Sequence, residues 1–314
     1  MLIKQIMKKI TISTAILFSI FLLCIMPNKK LNKEIKQQLT YVEENLNKEN
    51  IYLLDNNNYL ARTSVVVDNS DIELKAKELI DILIEDSKNE NRIPSGFRGI
   101  IPSSTEILSL EYKDGIIKVN FSKELLDVKK EYEEKVIEAI IYTLTSIDDV
   151  KKVIIYIDGD ILTKLPQTKI MLPSILDRSY GINKEYNLDS YKDVNKVTIY
   201  YLNSYNDNYY YVPVTKYLND GRNKMEIIID QLSNSNNLLS FLNVNTKLLN
   251  YKNEKNTLYL DFNEYIFDNK SDMVILDEVK NSIGLTLMEN YDVGEIVFKY
   301  NNKEICKSAA KTIE

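Results

Sequence analysis

Two aspartates stand on either side of one glycine in the stretch YIDGDI, where Asp158 and Asp160 flank Gly159. Two carboxylates at this spacing can bind a cation, or they can divide the roles of acid and base when their environments differ. An Asp-Gly pair is also favoured in tight turns, and the similar stretch near the end of the chain has Asn301 and Lys303 instead. We therefore interpret YIDGDI as a structural turn and predict no metal site.

Ser308 and Lys311 fit the S-x-x-K pattern that holds the nucleophile of penicillin-binding proteins. They fall within the last seven residues, and we interpret the match as chance. The chain has no histidine, which excludes Ser-His and Cys-His nucleophile pairs and imidazole metal sites. Its eight glycines form no glycine-rich phosphate loop. The sequence predicts a protein that is not an enzyme, with no catalytic residue and no cofactor.

The clustered tyrosines of YNDNYYYVPV are the candidate residues for ligand binding. Tyrosine has an apolar ring and a polar hydroxyl, so Tyr209, Tyr210 and Tyr211 could form a stacking surface for peptidoglycan, another ligand or a partner. The alternative is a strand near the edge of a sheet, where tyrosine is common. Such an edge could itself accept a strand from a partner, because its backbone groups are unpaired.

Length and composition indicate a folded chain of two domains. The 314 residues exceed one typical domain of roughly 100 to 200 residues, and 44% of them are hydrophobic. The net charge of -6 provides no basic surface for phosphates, so we expect no nucleic-acid partner. The two cysteines, Cys24 and Cys306, lie in unrelated contexts and predict neither a disulfide within a domain nor a zinc cluster.

The amino terminus is typical of a targeting or anchoring segment. Lys4, Lys8 and Lys9 precede seventeen uncharged residues, 10–26, which as a helix would span about 25 Å. That length is at the short end of what crosses a membrane. The basic start favours export of the rest of the chain. We therefore expect a membrane anchor, with the body on the extracytoplasmic side.

Three fates of this segment stay open. The residues FLLC, ending at Cys24, resemble a lipobox, in which the cysteine is lipidated and becomes the new amino terminus, although Leu23 stands where a small residue is usual. Cys24 would then be the lipid attachment site. Otherwise Cys24 is one apolar residue of an uncleaved signal anchor, or the segment is removed as an ordinary signal peptide.

The rest of the chain contains an internal repeat. Residues 105–121 align with 246–262 without a gap, and residues 138–157 align with 281–300. The two blocks keep their order at offsets of 141 and 143, which indicates duplication. Each copy has the same predicted elements: two short strands, an amphipathic helix, a hairpin, a second helix and a final strand.

The hairpin is the clearest local prediction in each copy. Asp114-Gly115 can supply the positive backbone dihedral angles of a tight turn, and Lys255-Asn256 stands in its place in the second copy. The elements predict an α+β fold of two similar small domains, each with helices packed on one face of a mixed β-sheet. The predicted divisions are 1–27 signal anchor or lipoprotein-type signal, 28–49 polar stalk, 50–162 first domain, 163–196 linker, 197–308 second domain and 309–314 tail. Within the linker, ILDRSYGIN could dock on a domain.

These motifs resemble the GerMN domain of GerM-type sporulation and germination proteins. The matching pieces are VPVT (212–215), IPxxT (101–105), KDG (113–115), YTLT (142–145) and VKKV-x-I-x-x-DG (150–159). The two copies together cover nearly everything after the stalk. The resemblance therefore implies tandem GerMN domains behind a membrane anchor.

The resemblance also implies a function without enzymatic activity. GerMN domains are similar to the ring-building modules of secretion-type assemblies, so the partners would be other envelope or sporulation proteins, including components of the channel between mother cell and forespore. The family offers no catalytic, cofactor or metal residue to carry over. The alternative, drawn from the residues themselves, is an exported protein that binds cell-wall glycan or a small ligand through Tyr209, Tyr210 and Tyr211.

Overall fold

Apart from one short strand of the first copy, β3, both copies of the repeat fold into the same succession of elements in the computed structural model, which describes residues 47–235 and 237–309. The first copy contains, in chain order, β1 (Lys48–Asp55), β2 (Leu60–Val66), α1 (Ile72–Leu83), β3 (Phe97–Arg98), β4 (Ile107–Lys113), β5 (Ile116–Phe121), α2 (Glu133–Leu144), β6 (Lys152–Ile157) and β7 (Asp160–Ile161). β8 (Glu185–Asn187) lies in the connecting segment. The second copy contains β9 (Val194–Tyr205), β10 (Asn208–Asn219), α3 (Lys224–Ser233), β11 (Leu248–Glu254), β12 (Thr257–Phe262), α4 (Asp277–Tyr291), β13 (Glu295–Tyr300) and β14 (Lys303–Ala309).

The two predicted hairpins are confirmed. Asp114 and Gly115 have φ angles of 50° and 79° and join β4 to β5. Lys255 has a φ angle of 56° and, with Asn256, joins β11 to β12. Two-residue turns with positive φ angles match the right-handed twist of the strands they connect. The same hairpin is therefore built twice from different turn residues.

Each copy has a four-stranded mixed sheet, in the order β4-β5-β6-β7 or β11-β12-β13-β14. The two middle strands of each sheet are parallel, because a helix crosses over between them. The inward side chains of β5 and β12 are fully buried and equivalent in the repeat: Ile117, Val119 and Phe121 in β5, and Leu258, Leu260 and Phe262 in β12. The sheets and their helices confirm the predicted α+β fold.

Helix α2 lies at the centre of the first copy. Every residue from Val136 to Leu144 is buried. A helix that is buried on all sides must have packing partners on both faces, and α2 contacts β1 as well as β6. The preceding helix, α1, begins at a cap formed by Asp71, whose side chain accepts hydrogen bonds from the backbone N–H groups of Glu73 and Leu74.

The opening hairpins of the two copies form one shared sheet. Its order is β3-β1-β2-β10-β8, and β9 also pairs with β10. The first copy meets the second where β2 runs antiparallel to β10, at the pair Arg62 and Tyr211. Each opening hairpin is thus separate from the mixed sheet of its own copy, and it ties the two copies into one body.

The connecting segment, predicted as a linker over 163–196, is packed into this body. Leu165, Leu172, Leu176 and Ile182 are buried. Its strand β8 runs parallel to β10. The buried Leu176 and Ile182 confirm that ILDRSYGIN (175–183) docks on the body. The burial of Leu165 and Leu172 could not be inferred, because apolar residues at irregular spacing produce no helix or strand periodicity. The connection acts as a structural part of the joint between the copies.

The predicted anchor (1–27), most of the stalk (28–46) and the lipid attachment site at Cys24 lie outside the described residues. Within residues 47–235 and 237–309, no helix has the length and apolar character needed to cross a membrane.

Candidate binding surfaces

The three tyrosines identified from the sequence do not share one face of β10. Tyr209 is 50% exposed, and its ring meets that of Phe241 edge to face at a centroid distance of 5.1 Å. Tyr210 is half-buried, and its hydroxyl donates to Asp55 Oδ2 at 2.9 Å. Tyr211 is buried. Of the three rings, only that of Tyr209 is open to a ligand, and a binding role for it stays a prediction.

The inward position of Tyr210 is explained by Asp55, a buried carboxylate at the end of β1. Its Oδ1 accepts hydrogen bonds from the backbone N–H groups of Asn57 and Tyr59, which fixes the turn of its own hairpin. Its Oδ2 accepts from Asn203 Nδ2 and from the Tyr210 hydroxyl, both in the second copy. Burial, and then the Asp55 charge, raise the pKa of Tyr210. Tyr210 is therefore a structural residue of the joint.

Strand β10 is not an edge strand, so that expectation is wrong. It pairs with β9 along its whole length. On its other side it pairs with β2 at Tyr211 and with β8 over 216–218. Both covering strands come from outside the second copy, which is why the local sequence did not reveal them.

The outer edge of β9 is closed by side chains of helix α4. The backbone N–H of Tyr200 donates to Thr286 Oγ1 at 2.9 Å, and Ser282 Oγ donates to the Tyr200 carbonyl. The Asn290 side chain bonds both backbone groups of Thr198: its Oδ1 accepts from the Thr198 N–H, and its Nδ2 donates to the Thr198 carbonyl. A partner strand could not add here without displacing α4.

The edge strands of the mixed sheets differ between the copies. In a two-residue hairpin, alternate residues of each strand direct their backbone groups away from the partner strand. In β4 one such residue is Tyr112, and its N–H donates to Glu73 Oε1 of α1 at 2.8 Å. The equivalent residue in β11 is Asn253. Among the described residues, none forms a hydrogen bond with the outward backbone groups of Tyr251 or Asn253.

The open edge of β11 also carries apolar side chains. Leu249 is 60% exposed and Tyr251 is 43% exposed. An edge strand with unpaired backbone groups and apolar side chains is a template for pairing with another chain. We call this surface, formed by Leu249, Tyr251 and Asn253, the β11 edge. The sequence analysis did not identify this surface. A signal was present, because LNYKNE has only two apolar residues, which is typical of a strand that is little buried.

The paired carboxylates of YIDGDI belong to a tight turn, as predicted. Asp158 and Gly159 have φ angles of 49° and 94° between β6 and β7. The N–H of Gly159 donates to Asn120 Oδ1 at 3.0 Å, and the equivalent N–H of Asn302 donates to Asp261 Oδ2 at 3.1 Å. The Asn or Asp before the phenylalanine that the two copies share, Phe121 or Phe262, therefore holds this turn.

The remaining chemical candidates are not brought together. Asp160 is exposed in β7, Ser308 is buried in β14, and Lys311 lies outside the described residues. In the part of the chain that the structure describes, no three His, Cys, Asp or Glu side chains are grouped as a metal site would require.

Asn183 of the connecting segment joins the copies where backbone pairing stops. Pro213 has no N–H, so it cannot continue the pairing of β10 with β2. The Asn183 side chain replaces the missing bonds: its Oδ1 accepts from the Leu60 N–H at 3.0 Å, and its Nδ2 donates to the carbonyls of Leu60 and Pro213, each at 2.8 Å. Its backbone N–H donates to Glu138 Oε2 at 2.8 Å.

Glu138 is a buried carboxylate on α2 beneath this bridge. Burial raises its pKa from the usual 4.5 to about 7, although Lys184, whose Nζ lies 3.6 Å from Oε1, favours the ionised form. The group that orients Asn183 therefore changes charge near neutral pH.

Arg178 is the second residue of the connecting segment that binds both copies. Its Nη1 donates to Glu289 Oε2 of the second copy at 2.7 Å. Its Nε and Nη2 donate to Thr145 Oγ1 and Ser146 Oγ of the first copy, at 3.0 and 2.9 Å. The guanidinium also lies over the Tyr142 ring, 4.8 Å from its centroid. The two copies are thereby held by a charged network as well as by the shared sheet.

Comparisons with known proteins match both copies. A family model described as "Germane: Sporulation and spore germination" matches residues 50–163 and 198–306. The spore germination protein GerM of Bacillus subtilis (strain 168) is 33% identical over 263 residues, which cover 81% of this chain and 71% of that protein. The solved structure of the tandem GerMN domains of the sporulation protein GerM from Bacillus subtilis matches with a TM-score of 0.75 and 31% identity, over 82% of this chain and 91% of that one.

Proposed function

Because the chain belongs to the Germane family of sporulation and spore germination proteins, we propose that it is a non-enzymatic envelope protein that assembles or stabilises a protein complex. Family membership supports a role in sporulation, and the matched GerM of Bacillus subtilis is named for germination and for sporulation. The complex would be one such as the channel between mother cell and forespore. In this proposal the N-terminal segment holds the protein to the membrane and the body is extracytoplasmic.

The observation that carries the proposal is the β11 edge. Its outward backbone groups have no hydrogen-bond partner among the described residues, and Leu249 and Tyr251 are exposed beside them. Addition of a partner strand supplies main-chain hydrogen bonds and pockets for alternate side chains without any chemical reaction. In the first copy the N–H of Tyr112, equivalent to that of Asn253, donates to Glu73, so the two edges differ at this position.

The joint between the copies makes this edge suitable for assembly. Asn183, Arg178 and the shared sheet bind the second copy to the first, so a partner on β11 would be held in a set orientation to the rest of the body. A rigid presenting surface loses less conformational entropy on binding than a tethered one.

A substitution at Tyr251 tests the edge directly. Proline at this outward position removes the N–H that would bond a partner, while the hydrogen bonds from β11 to β12 use the other residues of the strand. Tyr251→Thr is the matched control, because it removes the ring but keeps the N–H. We expect affinity capture of the tagged full chain from sporulating cells to recover protein partners with the native protein and with Tyr251→Thr, but not with Tyr251→Pro.

Experiments on the same sporulating cells distinguish this proposal from glycan binding. Cell-wall sedimentation that is abolished by Tyr209→Ala, together with capture that recovers no protein partner, would contradict the assembly function. Equal capture of partners by the native and Tyr251→Pro chains would show that the partners do not bind at β11. Each variant is first shown to melt at the native temperature, so that loss of capture is not loss of fold.

A further inference from the structure

A cleft of about 320 Å³ opens between the connecting segment and strands β8 and β10. One wall is made by Tyr186 and Tyr217, whose rings stack at a centroid distance of 4.8 Å with planes 13° apart. The lip of the cleft contains Met171 and Ile175, which are 68% and 47% exposed. Tyrosine rings and a flexible methionine that line one cleft suit an apolar side chain inserted between them.

Two carboxylates line the same cleft, and each uses one oxygen to fix its own position. Glu134 Oε1 accepts hydrogen bonds from the Tyr180 hydroxyl at 2.9 Å and from Lys184 Nζ at 2.5 Å. Asp177 Oδ1 accepts from the backbone N–H of Ser179 at 2.7 Å. No described residue donates a hydrogen bond to Glu134 Oε2 or Asp177 Oδ2. Each carboxylate therefore keeps an acceptor for a ligand.

The charge that the cleft presents to a ligand is negative. The cation in its floor, Lys184, has a side chain only 6% exposed and lies between Glu134 and Glu138. Burial, and after it the charge of Glu134, raise the pKa values of Tyr180 and Tyr186, so these rings are neutral at physiological pH. A ligand entering the cleft meets two carboxylates and no free cation among its lining residues.

We propose that this cleft binds an extended peptide segment of a partner protein in which an apolar residue lies next to a lysine or arginine. The apolar side chain packs between the tyrosine wall and the Met171 lip, and the cation bonds Glu134 and Asp177. A peptide is favoured over a saccharide because Met171 and Ile175 offer sugar hydroxyls no hydrogen bond. The inference deepens the proposed function by naming a partner's chemistry, at a site separate from the β11 edge.

Methionine labelling of the full chain tests the proposal at the site itself. The [13C-methyl]methionine signal of Met171 is assigned by its absence in Met171→Leu, with the protein in a neutral detergent. The probes are acetyl-Leu-Lys-Leu-Lys-amide, acetyl-Leu-Glu-Leu-Glu-amide and chitotetraose. We expect the Met171 signal to shift saturably with the basic peptide and at least about tenfold more weakly with the acidic one. The double variant Glu134→Gln, Asp177→Asn should lose most of the preference for the basic peptide. Tyr186→Ala should weaken the binding of both peptides.

Glu254→Gln is the matched control, because it removes an exposed carboxylate on β11, and it leaves the peptide affinity unchanged. Equal affinity for the acidic and basic peptides overturns the proposal, as does a Met171 signal that no peptide moves up to about 10 mM. A response to chitotetraose alone assigns the cleft to glycan instead. Loss of peptide binding while Tyr251-dependent capture persists would contradict this inference and leave the proposed function standing.

Discussion

The phenolic oxygens of Tyr52 and Tyr200 lie 3.1 Å apart, each contributed by the first strand of one copy. The backbone N–H of Tyr52 donates to Thr143 Oγ1 at 3.1 Å, and that of Tyr200 donates to Thr286 Oγ1 at 2.9 Å. The two tyrosines are equivalent in the repeat, and so are the two threonines. At this contact each copy therefore contributes the same two residues of the repeat: a tyrosine, and the threonine that accepts its backbone N–H.

Removal of either hydroxyl will destabilise the joint. Tyr52→Phe and Tyr200→Phe should each lower the free energy of unfolding by about 1 kcal/mol, because each removes the buried hydrogen bond that the two hydroxyls share. The double variant should lose less than the sum of the two, since the shared hydrogen bond can be lost only once. Urea unfolding of the four proteins measures this coupling.

Tyr191→Phe is the control for these changes, because Tyr191 is 97% exposed and its hydroxyl should contribute less than about 0.5 kcal/mol. Strict additivity of Tyr52→Phe and Tyr200→Phe would show that the two hydroxyls are not coupled in solution.

Sequence reasoning could locate the strands that hold these tyrosines but not the contact between them. The stretches IYLL and IYYL, which include Tyr52 and Tyr200, have the β-branched and aromatic residues of short strands, so local pattern sufficed. The contact depends on Asn183 and on one backbone pair, Arg62 with Tyr211, which lie far apart in the chain. Nothing in local periodicity encodes such non-local packing.

Loss of the Arg178 guanidinium should strongly destabilise the joint. The side chains of Arg178 and Glu289 are 28% and 10% exposed, so removal of the cation leaves a mostly buried carboxylate unpaired. We expect Arg178→Ala to cost roughly 3 kcal/mol, the low end for a buried pair because the guanidinium is partly solvated. Arg178→Lys should recover only part of this, because lysine lacks the planar fork that also binds Thr145 and Ser146.

Thermal and urea unfolding measure this loss, and Arg222→Ala is its control. Arg222 is 46% exposed and pairs with Asp220 and Asp230 at the surface, where ion pairs contribute less than about 1 kcal/mol. Equal effects of Arg178→Ala and Arg222→Ala would contradict a structural role for the buried network.

Substitution of Asn183 should lower the free energy of unfolding, and aspartate at this position should not restore it. Asn183→Ala leaves the Leu60 N–H and the carbonyls of Leu60 and Pro213 without partners, and should cost about 3 kcal/mol. Asn183→Asp can still accept from Leu60 and from Lys135 Nζ, but it places a charge against two carbonyl oxygens, so it should remain well below the native protein in stability. Urea unfolding ranks the variants, with exposed Asn208→Ala as control. A stable Asn183→Asp would show that the donor half of the amide is dispensable.

The candidate binding surface was harder to predict than the fold. Whether a side chain is exposed depends on its neighbours in space, and the sequence does not show which elements become neighbours. The pattern indicated a strand over Tyr209, Tyr210 and Tyr211, yet the strand lies inside the shared sheet. Tyr210 is turned inward by Asp55, 155 residues earlier. Among the described residues, no side chain of α3 bonds the β11 edge as Glu73 of α1 bonds Tyr112 in the first copy.

Glu138 should make the stability of the protein fall as pH rises through the mildly acidic range. Burial raises its pKa from the usual 4.5 to about 7, so the folded state binds a proton that the unfolded state has released. The free energy of unfolding contributed by this group is therefore complete below pH 4.5 and is lost between pH 4.5 and about 7, by at most about 3 kcal/mol. Urea unfolding at intervals across that range measures the slope.

Glu138→Gln separates this effect from the other carboxylates. Glutamine keeps an acceptor for the Asn183 N–H, 2.8 Å away in the native protein, but cannot ionise beside Lys184 and Lys135. Glu78 and Glu133 have lowered pKa values, chiefly because hydrogen bonds outweigh their burial, and their contribution has the opposite sign and persists in the variant. The difference between native and Glu138→Gln proteins should therefore grow with pH from 4.5 to 7, in favour of the variant. A difference that stays constant would show that Glu138 ionises at its ordinary pKa.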